Sequence, residues 1–308
     1  MEKDKLATRQ TVLVIGGTGF IGLHTVRELA AHGHAVYATH SRTRTPAAAP
    51  GVTWIPCDLG VGRITDTWPR DYHSILFLAQ SRAWRDFPAK AADVFQVNVA
   101  SAFHAVELAR QVRAQRFIYA STGSIYSQTA QPARENEPLQ LAASRSFYVA
   151  SKLATELLLQ AYGAQVPVVV LRLFVPYGAG QNPDMLMPRL VRQVRERLPI
   201  TLHGADGLRC NPVAVGDVAR VLRACLELRV SATLNVAGPD VLTLRQIGAQ
   251  IGQALDCPPR FEVRPAEVPP VIVGDTTALQ AALGWAPAMH FETGLRAWLG
   301  SCPAPLAI

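Results

Sequence analysis

The sequence contains no apolar run long enough to cross a membrane. The longest apolar stretches, such as residues 166–171, are far shorter than the roughly 18 residues that a membrane span needs. The N-terminus, Met1-Glu-Lys-Asp-Lys, is not followed by the apolar core of a signal peptide. We therefore expect a soluble, cytoplasmic protein that does not bind membranes.

Cysteine is scarce, and the five cysteines are scattered. None of them forms a C-x-x-C pair, which argues against a disulfide framework and against a zinc or other metal site. Charged residues make up only 17% of the chain and hydrophobic residues 49%, which is typical of a well-buried interior. The net charge of +7 is spread along the sequence without a long basic run. It fits a nucleic-acid surface and the binding of small anions equally well.

Short apolar runs alternate with helical patterns through the first half of the sequence. The runs occupy residues 11–15, 35–39, 52–56, 74–79, 116–121 and 168–173, and the helical patterns occupy residues 21–31, 89–113 and 148–162. This alternation predicts an α/β, doubly wound fold, in which helices cover both faces of a parallel sheet.

The pattern of the sequence changes after Pro176, where the apolar and helical segments become shorter and richer in proline. We predict a main domain over residues 1–175, to which residues 211–240 return with one more helix and strand. Residues 176–210 and 241–308 are predicted to form a smaller C-terminal substrate-binding lobe.

Three glycines, Gly16, Gly19 and Gly22, follow the first predicted strand and open the first predicted helix. Missing side chains let the backbone approach a pyrophosphate, and the helix N-terminus offers free N–H groups and a positive dipole end. The spacing differs from the G-x-G-x-x-G of many dehydrogenases, but the strand-turn-helix context is the required one. We therefore predict a dinucleotide site at Gly16, Gly19, Phe20, Ile21 and Gly22.

The end of the second predicted strand lacks an acidic residue. An acid at this place accepts hydrogen bonds from an unphosphorylated ribose. This chain has Ser41, Arg42 and Arg44 instead, which suit a ribose phosphate through charge-assisted bonds. The pattern favours NADP over NAD, with a solvated arginine loop as the alternative. Asp58, after the third strand, is either an acceptor for the adenine amine or a turn residue.

Tyr148 and Lys152 are four residues apart on a predicted helix and therefore share one face. A free tyrosine titrates near pH 10, too high for easy proton transfer at neutral pH. A neighbouring ammonium and the positive nicotinamide ring favour the phenolate and lower its pKa, which would make Tyr148 a general acid/base. Y-x-x-x-K is common by chance, so the motif alone is weak evidence for a catalytic pair. The assignment is supported by the position of the motif in the chain, after the segment 120–122.

These motifs together resemble the extended short-chain dehydrogenases/reductases, of the NAD(P)-dependent epimerase/dehydratase type that acts on nucleotide sugars. The resemblance covers nearly the whole chain. It is carried by residues 16–22, 119–126, 148–152, 171–178, 209–213, 275–277 and 283–287.

The resemblance implies that the main domain has a Rossmann fold and that the protein is a homodimer through its long helices. It also implies that Thr122 hydrogen-bonds the reacting oxygen while Tyr148 moves the proton and Lys152 holds the nicotinamide ribose. The remaining predicted cofactor contacts are Leu59, Ala79, Asn98 and Val175, although helix packing explains Asn98 equally well. The candidate anion contacts for the substrate are Gln181, Arg189 and Arg209, each of which also fits a solvated surface residue.

Departures from the family pattern narrow the chemistry. The 4,6-dehydratases of this type carry Asp-Glu after the catalytic threonine, where this chain has Gly123-Ser124. The 3,5-epimerases carry a cysteine where this chain has Ser124. Both reactions are therefore disfavoured, and epimerisation at C4 or reduction of a ketone remains.

Other departures concern the substrate. Val175 replaces a customary asparagine that meets the substrate diphosphate, Ala214 and Gly216 replace histidine and aspartate, and Phe77 replaces a common histidine. These differences weaken the case for a nucleotide sugar but leave the redox residues unchanged.

Three hypotheses follow. The leading one is an enzyme that transfers hydride at a carbinol or ketone of a nucleotide sugar or similar substrate, or an NADP-dependent ketoreductase of a non-nucleotide substrate. The second is a nicotinamide-binding sensor or assembly protein without turnover. The third is nucleic-acid binding, which only the pI of about 9.4 suggests and which we do not expect.

Overall fold

The computed structural model describes residues 9–41, 47–61, 68–126, 131–137, 139, 146–265 and 270–301. The described strands are β1 (Thr11–Ile15), β2 (Ala35–His40), β3 (Val52–Pro56), β4 (Ser74–Phe77), β5 (Arg116–Thr122), β6 (Val168–Leu173), β7 (Pro176–Tyr177), β8 (Pro199–His203), β9 (Arg209–Cys210), β10 (Val213–Ala214), β11 (Ala232–Val236), β12 (Leu242–Thr243), β13 (Arg260–Arg264) and β14 (Val271–Ile272). The described α-helices are α1 (Phe20–Ala31), α2 (Ala91–Phe95), α3 (Ser101–Gln111), α4 (Phe147–Gln160), α5 (Leu186–Arg195), α6 (Val215–Ala224), α7 (Leu244–Leu255), α8 (Thr277–Leu283) and α9 (Phe291–Ser301).

Seven strands form the main sheet in the order β11-β6-β5-β4-β1-β2-β3. β1 pairs in parallel with both β2 and β4, and Val14 lies opposite Ala38 on one side and Leu76 on the other. The strand order therefore reverses at β1, and open α/β sheets bind ligands at the carboxyl ends of the strands beside such a reversal. The predicted doubly wound Rossmann fold is confirmed, including a late strand, β11, that returns to the sheet.

Continuous apolar runs form this sheet because its central strands are covered on both faces. Val12, Leu13, Val14 and Ile15 of β1 are all fully buried. Leu13 and Ile15 pack in one cluster with residues of α3 and α4, among them Ala105 and Leu159. This burial fixes the position of the turn that follows β1.

The chain divides into two compact units. The first comprises residues 1–121, 144–171 and 222–233, and the second comprises residues 122–143, 172–221 and 234–308. The lobe boundaries read from the sequence, at residues 175, 210 and 240, stay a prediction. None of the described helices is long and apolar enough to cross a membrane.

The second unit has its own apolar core, built on helices and short strands. β8 and β13 pair in parallel, with Ile200 opposite Phe261. Leu190 of α5, Ile247 of α7 and Leu295 of α9 are buried in the same cluster as Ile200.

Candidate active site

The glycine turn after β1 leaves no room for side chains. Gly16 has a φ of +91°, and a Cβ built on it would lie 2.7 Å from the backbone nitrogen of Ala79. A Cβ on Gly22 would lie 2.1 Å from the carbonyl oxygen of Gly16. The structure therefore brings Gly16, Gly22 and Ala79 together, and these close approaches require glycine at positions 16 and 22.

Helix α1 begins at this turn with open backbone donors. Its N-cap is Gly19, no side chain caps it, and its first turn contains no acidic residue. The nitrogen of Leu23 donates to the carbonyl oxygen of Gly19, 2.9 Å away. The N–H groups of Phe20, Ile21 and Gly22 precede that first helical bond, so they have no acceptor within the helix. These donors and the positive helix end fit a pyrophosphate, and this agreement supports a dinucleotide at the turn.

Residues predicted to contact the adenosine part lie after β2 and β3. Ser41 follows β2 directly, whereas Arg42 and Arg44 lie outside the described residues. Asp58 is exposed, and its Oδ1 accepts a hydrogen bond from Gly60 N at 3.0 Å, so it serves at least as a turn residue. Leu59 is half-buried beside it.

Helix α4 carries the predicted catalytic pair on one face. Ser146 caps the helix, and its side chain accepts a hydrogen bond from Val149 N. Tyr148, half-buried, lies in the first turn, and Lys152 follows one turn later with only 3% of its surface exposed. This spacing keeps the phenol and the amine neighbours along the helix.

Strand β5 holds the amine of Lys152. Its Nζ donates to the carbonyl oxygen of Ala120 at 2.9 Å and lies 4.9 Å from the centre of the Tyr119 ring. Burial lowers the pKa of Lys152 to about 8, while the negative charge of Glu156 acts in the opposite direction. The amine is therefore mostly protonated at neutral pH and can supply the positive charge that favours a phenolate.

Asn98 anchors α4 from a π-helical turn, Gln96–Ala100, between α2 and α3. The side chain is fully buried, its Oδ1 accepts from Ser81 N, and its Nδ2 donates to Ser151 Oγ, both at 2.9 Å. Ser151 in turn donates to the carbonyl oxygen of Tyr148 at 2.7 Å. Asn98 therefore positions the helix that carries Tyr148, and its direct contact with a cofactor stays a prediction.

An aromatic loop that the sequence analysis missed contacts Tyr148. The ring centroids of Trp84 and Tyr148 are 5.1 Å apart, and the Arg85 guanidinium lies 4.3 Å from the Trp84 ring centroid. Phe87 stacks on Phe147 of α4, with centroids also 5.1 Å apart. The two aromatic residues within positions 84–87, in the loop between β4 and α2, were the signal available in the sequence.

Thr122 ends β5 and belongs to the second unit. Its hydroxyl accepts a hydrogen bond from Ser124 N at 3.2 Å, which leaves the hydroxyl hydrogen as a donor. A Cβ on Gly123 would lie 2.6 Å from the ring of Phe174. The Phe174 ring therefore occupies the space that an aspartate of the dehydratase type would need at position 123.

Val175, also in the second unit, has a left-handed backbone with a φ of +45°. This conformation is strained for a β-branched residue, whereas asparagine, the customary residue of the family, tolerates it. The strained backbone at Val175 makes this segment a candidate for function.

The three predicted substrate contacts all lie in the second unit. Gln181 Nε2 donates to the carbonyl oxygen of Pro176 at 2.8 Å, so this side chain binds its own loop. Arg189 is exposed on α5, and Arg209 is half-buried on β9. Their contact with a substrate stays a prediction.

Comparisons with known proteins identify the family of the chain. The model of the NAD dependent epimerase/dehydratase family matches residues 12–237. An uncharacterized UDP-glucose epimerase of Bacillus subtilis (strain 168) is 30% identical over 148 residues, which is 46% of each chain, so this chain aligns with about half of that relative. GDP-6-deoxy-D-mannose reductase of Pseudomonas aeruginosa is 26% identical over 94% of this chain and 96% of its own.

A solved structure extends the likeness to the fold. The UDP-glucose 4-epimerase of Thermus thermophilus, in complex with NAD, superposes with a TM-score of 0.78 and 27% sequence identity. The match covers 94% of this chain and 98% of that one. The matched family model spans both the glycine turn and the Tyr148–Lys152 pair. The chain therefore belongs to the NAD-dependent epimerase/dehydratase family of enzymes.

Proposed function

We propose that the protein catalyses reversible hydride transfer at one carbinol of a nucleotide sugar, with epimerisation at C4 as the net reaction. The observation that carries this proposal is the pair on α4, in which a buried, hydrogen-bonded Lys152 lies one turn from Tyr148. The open helix end after Gly19 lies in the same unit and fits the dinucleotide that such chemistry needs. The similarity to a UDP-glucose 4-epimerase and to a GDP-6-deoxy-D-mannose reductase supports a substrate of the nucleotide-sugar class.

In the proposed mechanism, Tyr148 removes the proton from the substrate hydroxyl while hydride leaves the same carbon. The protonated amine of Lys152 stabilises the phenolate and would hold the ribose of a bound dinucleotide. The nicotinamide ring, when bound, would accept and return the hydride. Tyr148 would return its proton when the ketone is reduced again, and reduction from the opposite face would invert that centre. Thr122 keeps its predicted role as a donor to the reacting oxygen.

The proposed cofactor is a nicotinamide dinucleotide, and the lack of an acid after β2 favours NADP. The similar T. thermophilus enzyme holds NAD. Of the residues behind this preference, Ser41 is described, whereas Arg42 and Arg44 are not. The choice between the two cofactors therefore still rests on the sequence pattern.

The test is a panel of UDP-, dTDP- and GDP-sugars incubated with the protein and a catalytic amount of NAD or NADP. We expect the C4 epimer of one sugar to accumulate, as followed by NMR, without a net change in the absorbance of the reduced cofactor. If none of the sugars in the panel is converted, the proposal is contradicted.

Reduction of a ketone is the second candidate function. The similarity to a GDP-6-deoxy-D-mannose reductase over 94% of this chain favours it, as does the missing acid after β2. A reductase consumes one reduced cofactor for each product formed, whereas an epimerase regenerates its cofactor. Stoichiometric oxidation of NADPH by a 4-keto sugar nucleotide, without epimer formation, would therefore identify this reaction.

We also propose a homodimer through the helices around α4. Phe95, Phe103 and Leu157 are 55%, 41% and 59% exposed on these helices, which is unusual for large apolar side chains. Sedimentation of the full chain should give twice the monomer mass. The double variant Phe103→Ser with Leu157→Ser should sediment with the mass of one monomer. A monomeric wild-type protein would contradict the proposal.

A further inference from the structure

Two oppositely charged side chains are buried one turn apart on α4. Lys152 is 3% exposed and Glu156 is 1% exposed. Residues four apart lie on the same helical face, and both of these face β5. Lys152 Nζ donates to the carbonyl oxygen of Ala120, and Ser121 Oγ donates to the Glu156 carboxylate. Glu156 has no part in the proton transfer proposed for Tyr148.

A buried charge is costly unless another charge or several hydrogen bonds compensate it. Among the residues that the structure describes, Glu156 and Asp217 are the carboxylates that are at least nine-tenths buried, and Asp217 belongs to the other unit. The sequence has four lysines, and of the two that are described, Lys152 is buried and Lys90 is exposed. The burial of Glu156 beside Lys152 therefore calls for a reason specific to this site.

The groups around Lys152 point to that reason. Tyr148 and Glu156 come from α4, and Tyr119 comes from β5. Burial raises the pKa of Tyr119 well above its usual range, so this ring stays neutral. Burial alone also disfavours the charged form of Lys152, and the carboxylate of Glu156 opposes this effect.

We propose that Glu156 is a positioning residue, which keeps Lys152 protonated beside Tyr148 and holds α4 against β5 through Ser121. Only the protonated amine carries the positive charge that stabilises the Tyr148 phenolate, while its hydrogens serve the Ala120 carbonyl and the ribose. This inference rests on the proposed function, in which the ammonium stabilises the phenolate. It gives the buried carboxylate of Glu156 a task in catalysis.

The test is an NMR titration of the lysine side chains in the full-length protein labelled with ¹³C-lysine. Because the chain has four lysines, four ε-carbon signals are expected, and Lys152→Arg identifies the signal of Lys152. Glu156→Gln removes the charge but keeps the shape and an acceptor for Ser121. Ser121→Ala is the matched control, which removes the hydroxyl but keeps the carboxylate charge.

We expect the titration midpoint of Lys152 in Glu156→Gln to fall by about one pH unit below that of the wild type, because a nearby anion is lost. Ser121→Ala should change the midpoint by less than roughly half a unit. An unchanged midpoint in Glu156→Gln would overturn the proposal. If that variant does not fold, Glu156→Met replaces it, since it also removes the charge at a similar side-chain length, and an unchanged midpoint would be equally decisive.

Cofactor binding connects the titration to function. Affinity for NAD or NADP, measured by calorimetry across pH, should fall as Lys152 loses its proton, and this fall should occur at lower pH in Glu156→Gln. Identical pH profiles in the two proteins would contradict the inference. If neither protein binds a dinucleotide at any pH, the proposed function fails, whereas the NMR titration still decides the role of Glu156.

Discussion

The burial of the Lys152 amine predicts how the activity depends on pH. Its pKa is lowered to about 8 because the amine is buried, so the amine loses its proton as the pH rises through that value. We therefore expect kcat/KM to fall on the alkaline side with a midpoint near this pKa. Lys152→Arg should lower the activity but remove the alkaline fall, because arginine stays charged. An alkaline fall that persists unchanged in Lys152→Arg would show that another group is responsible.

Adding one methyl group at Gly22 tests whether the tight glycine turn is needed for dinucleotide binding. A Cβ at this position would lie 2.1 Å from the carbonyl oxygen of Gly16, so the turn must open. We expect Gly22→Ala to weaken dinucleotide binding at least about tenfold and to destabilise the fold by roughly 1–3 kcal/mol. Calorimetry and urea unfolding measure the two effects.

Gly300→Ala is the control for that substitution, since a Cβ there meets no atom within 4 Å. It should leave binding unchanged and should not destabilise the fold, because alanine in helix α9 is favoured over glycine by up to about 1 kcal/mol. If Gly22→Ala binds the dinucleotide as tightly as the control does, the tight turn is not what the cofactor requires.

Most of the candidate site residues are indicated by local patterns in the sequence. Gly16, Gly22, Tyr148 and Lys152 are recognisable because their spacing is local, and local spacing determines which side chains share a turn or a helical face. Glu156 was missed, although it repeats the same spacing one turn later. A single glutamate in a helix is ordinary, and its burial becomes visible only when β5 is in place.

Helix α4 is held in position by polar contacts as well as apolar ones. Asn98 donates to Ser151 and accepts from Ser81 N while fully buried. We expect Asn98→Ala to lower the free energy of unfolding by about 1–3 kcal/mol, because its partners are left buried and unpaired. Urea unfolding of Asn98→Ala, Ser151→Ala and the double variant measures the coupling.

The double variant should cost less than the sum of the two single variants, because they remove the same bond. Full additivity would mean that the Asn98–Ser151 hydrogen bond contributes nothing to stability. Loss of turnover with a smaller loss of stability would in addition support the positioning of Tyr148 through Ser151.

Elements with strong periodicity were predicted well, and short ones were not. The six early strands and the returning strand β11 correspond to apolar runs, which indicate burial on both faces. Two-residue strands such as β9 and β10 depend on pairing across the fold, which no local pattern reveals. The predicted helix over residues 89–113 contains a π-helical turn at Gln96–Ala100, and this interruption presents Asn98.

The preference for NADP or NAD depends on which side chains of the protein contact the ribose of the bound cofactor. Arg42 and Arg44 lie outside the described residues, so their assignment to a ribose phosphate is a prediction from the sequence. We expect Arg42→Ala with Arg44→Ala to weaken NADPH binding by about tenfold or more, as for lost charge-assisted bonds, and NADH binding much less. Fluorescence titration with both cofactors measures the ratio.

Arg27→Ala, which removes an exposed arginine of α1, is the control for that pair. It should leave the preference between the two cofactors unchanged. Equal losses for NADPH and NADH in the Arg42/Arg44 variant would contradict the phosphate assignment and leave NAD as the better choice.

The fold and the family followed from the sequence because the motifs cover most of the chain, whereas the substrate did not. Substrate recognition depends on side chains such as Gln181, Arg189 and Arg209, which come from separate segments of the second unit. Gln181 illustrates the difficulty, since its amide binds the Pro176 carbonyl, a contact that the sequence does not reveal.

The central claim is that Tyr148 moves the proton during hydride transfer. Its most direct test compares turnover and dinucleotide affinity in Tyr148→Phe and in the wild type, on whichever nucleotide sugar the panel identifies. Tyr162→Phe, at the far end of the same helical region, is the control, because its hydroxyl binds Glu107. We predict that Tyr148→Phe loses at least about a hundredfold in kcat while its dinucleotide affinity changes little. A Tyr148→Phe variant as active as Tyr162→Phe would contradict the account.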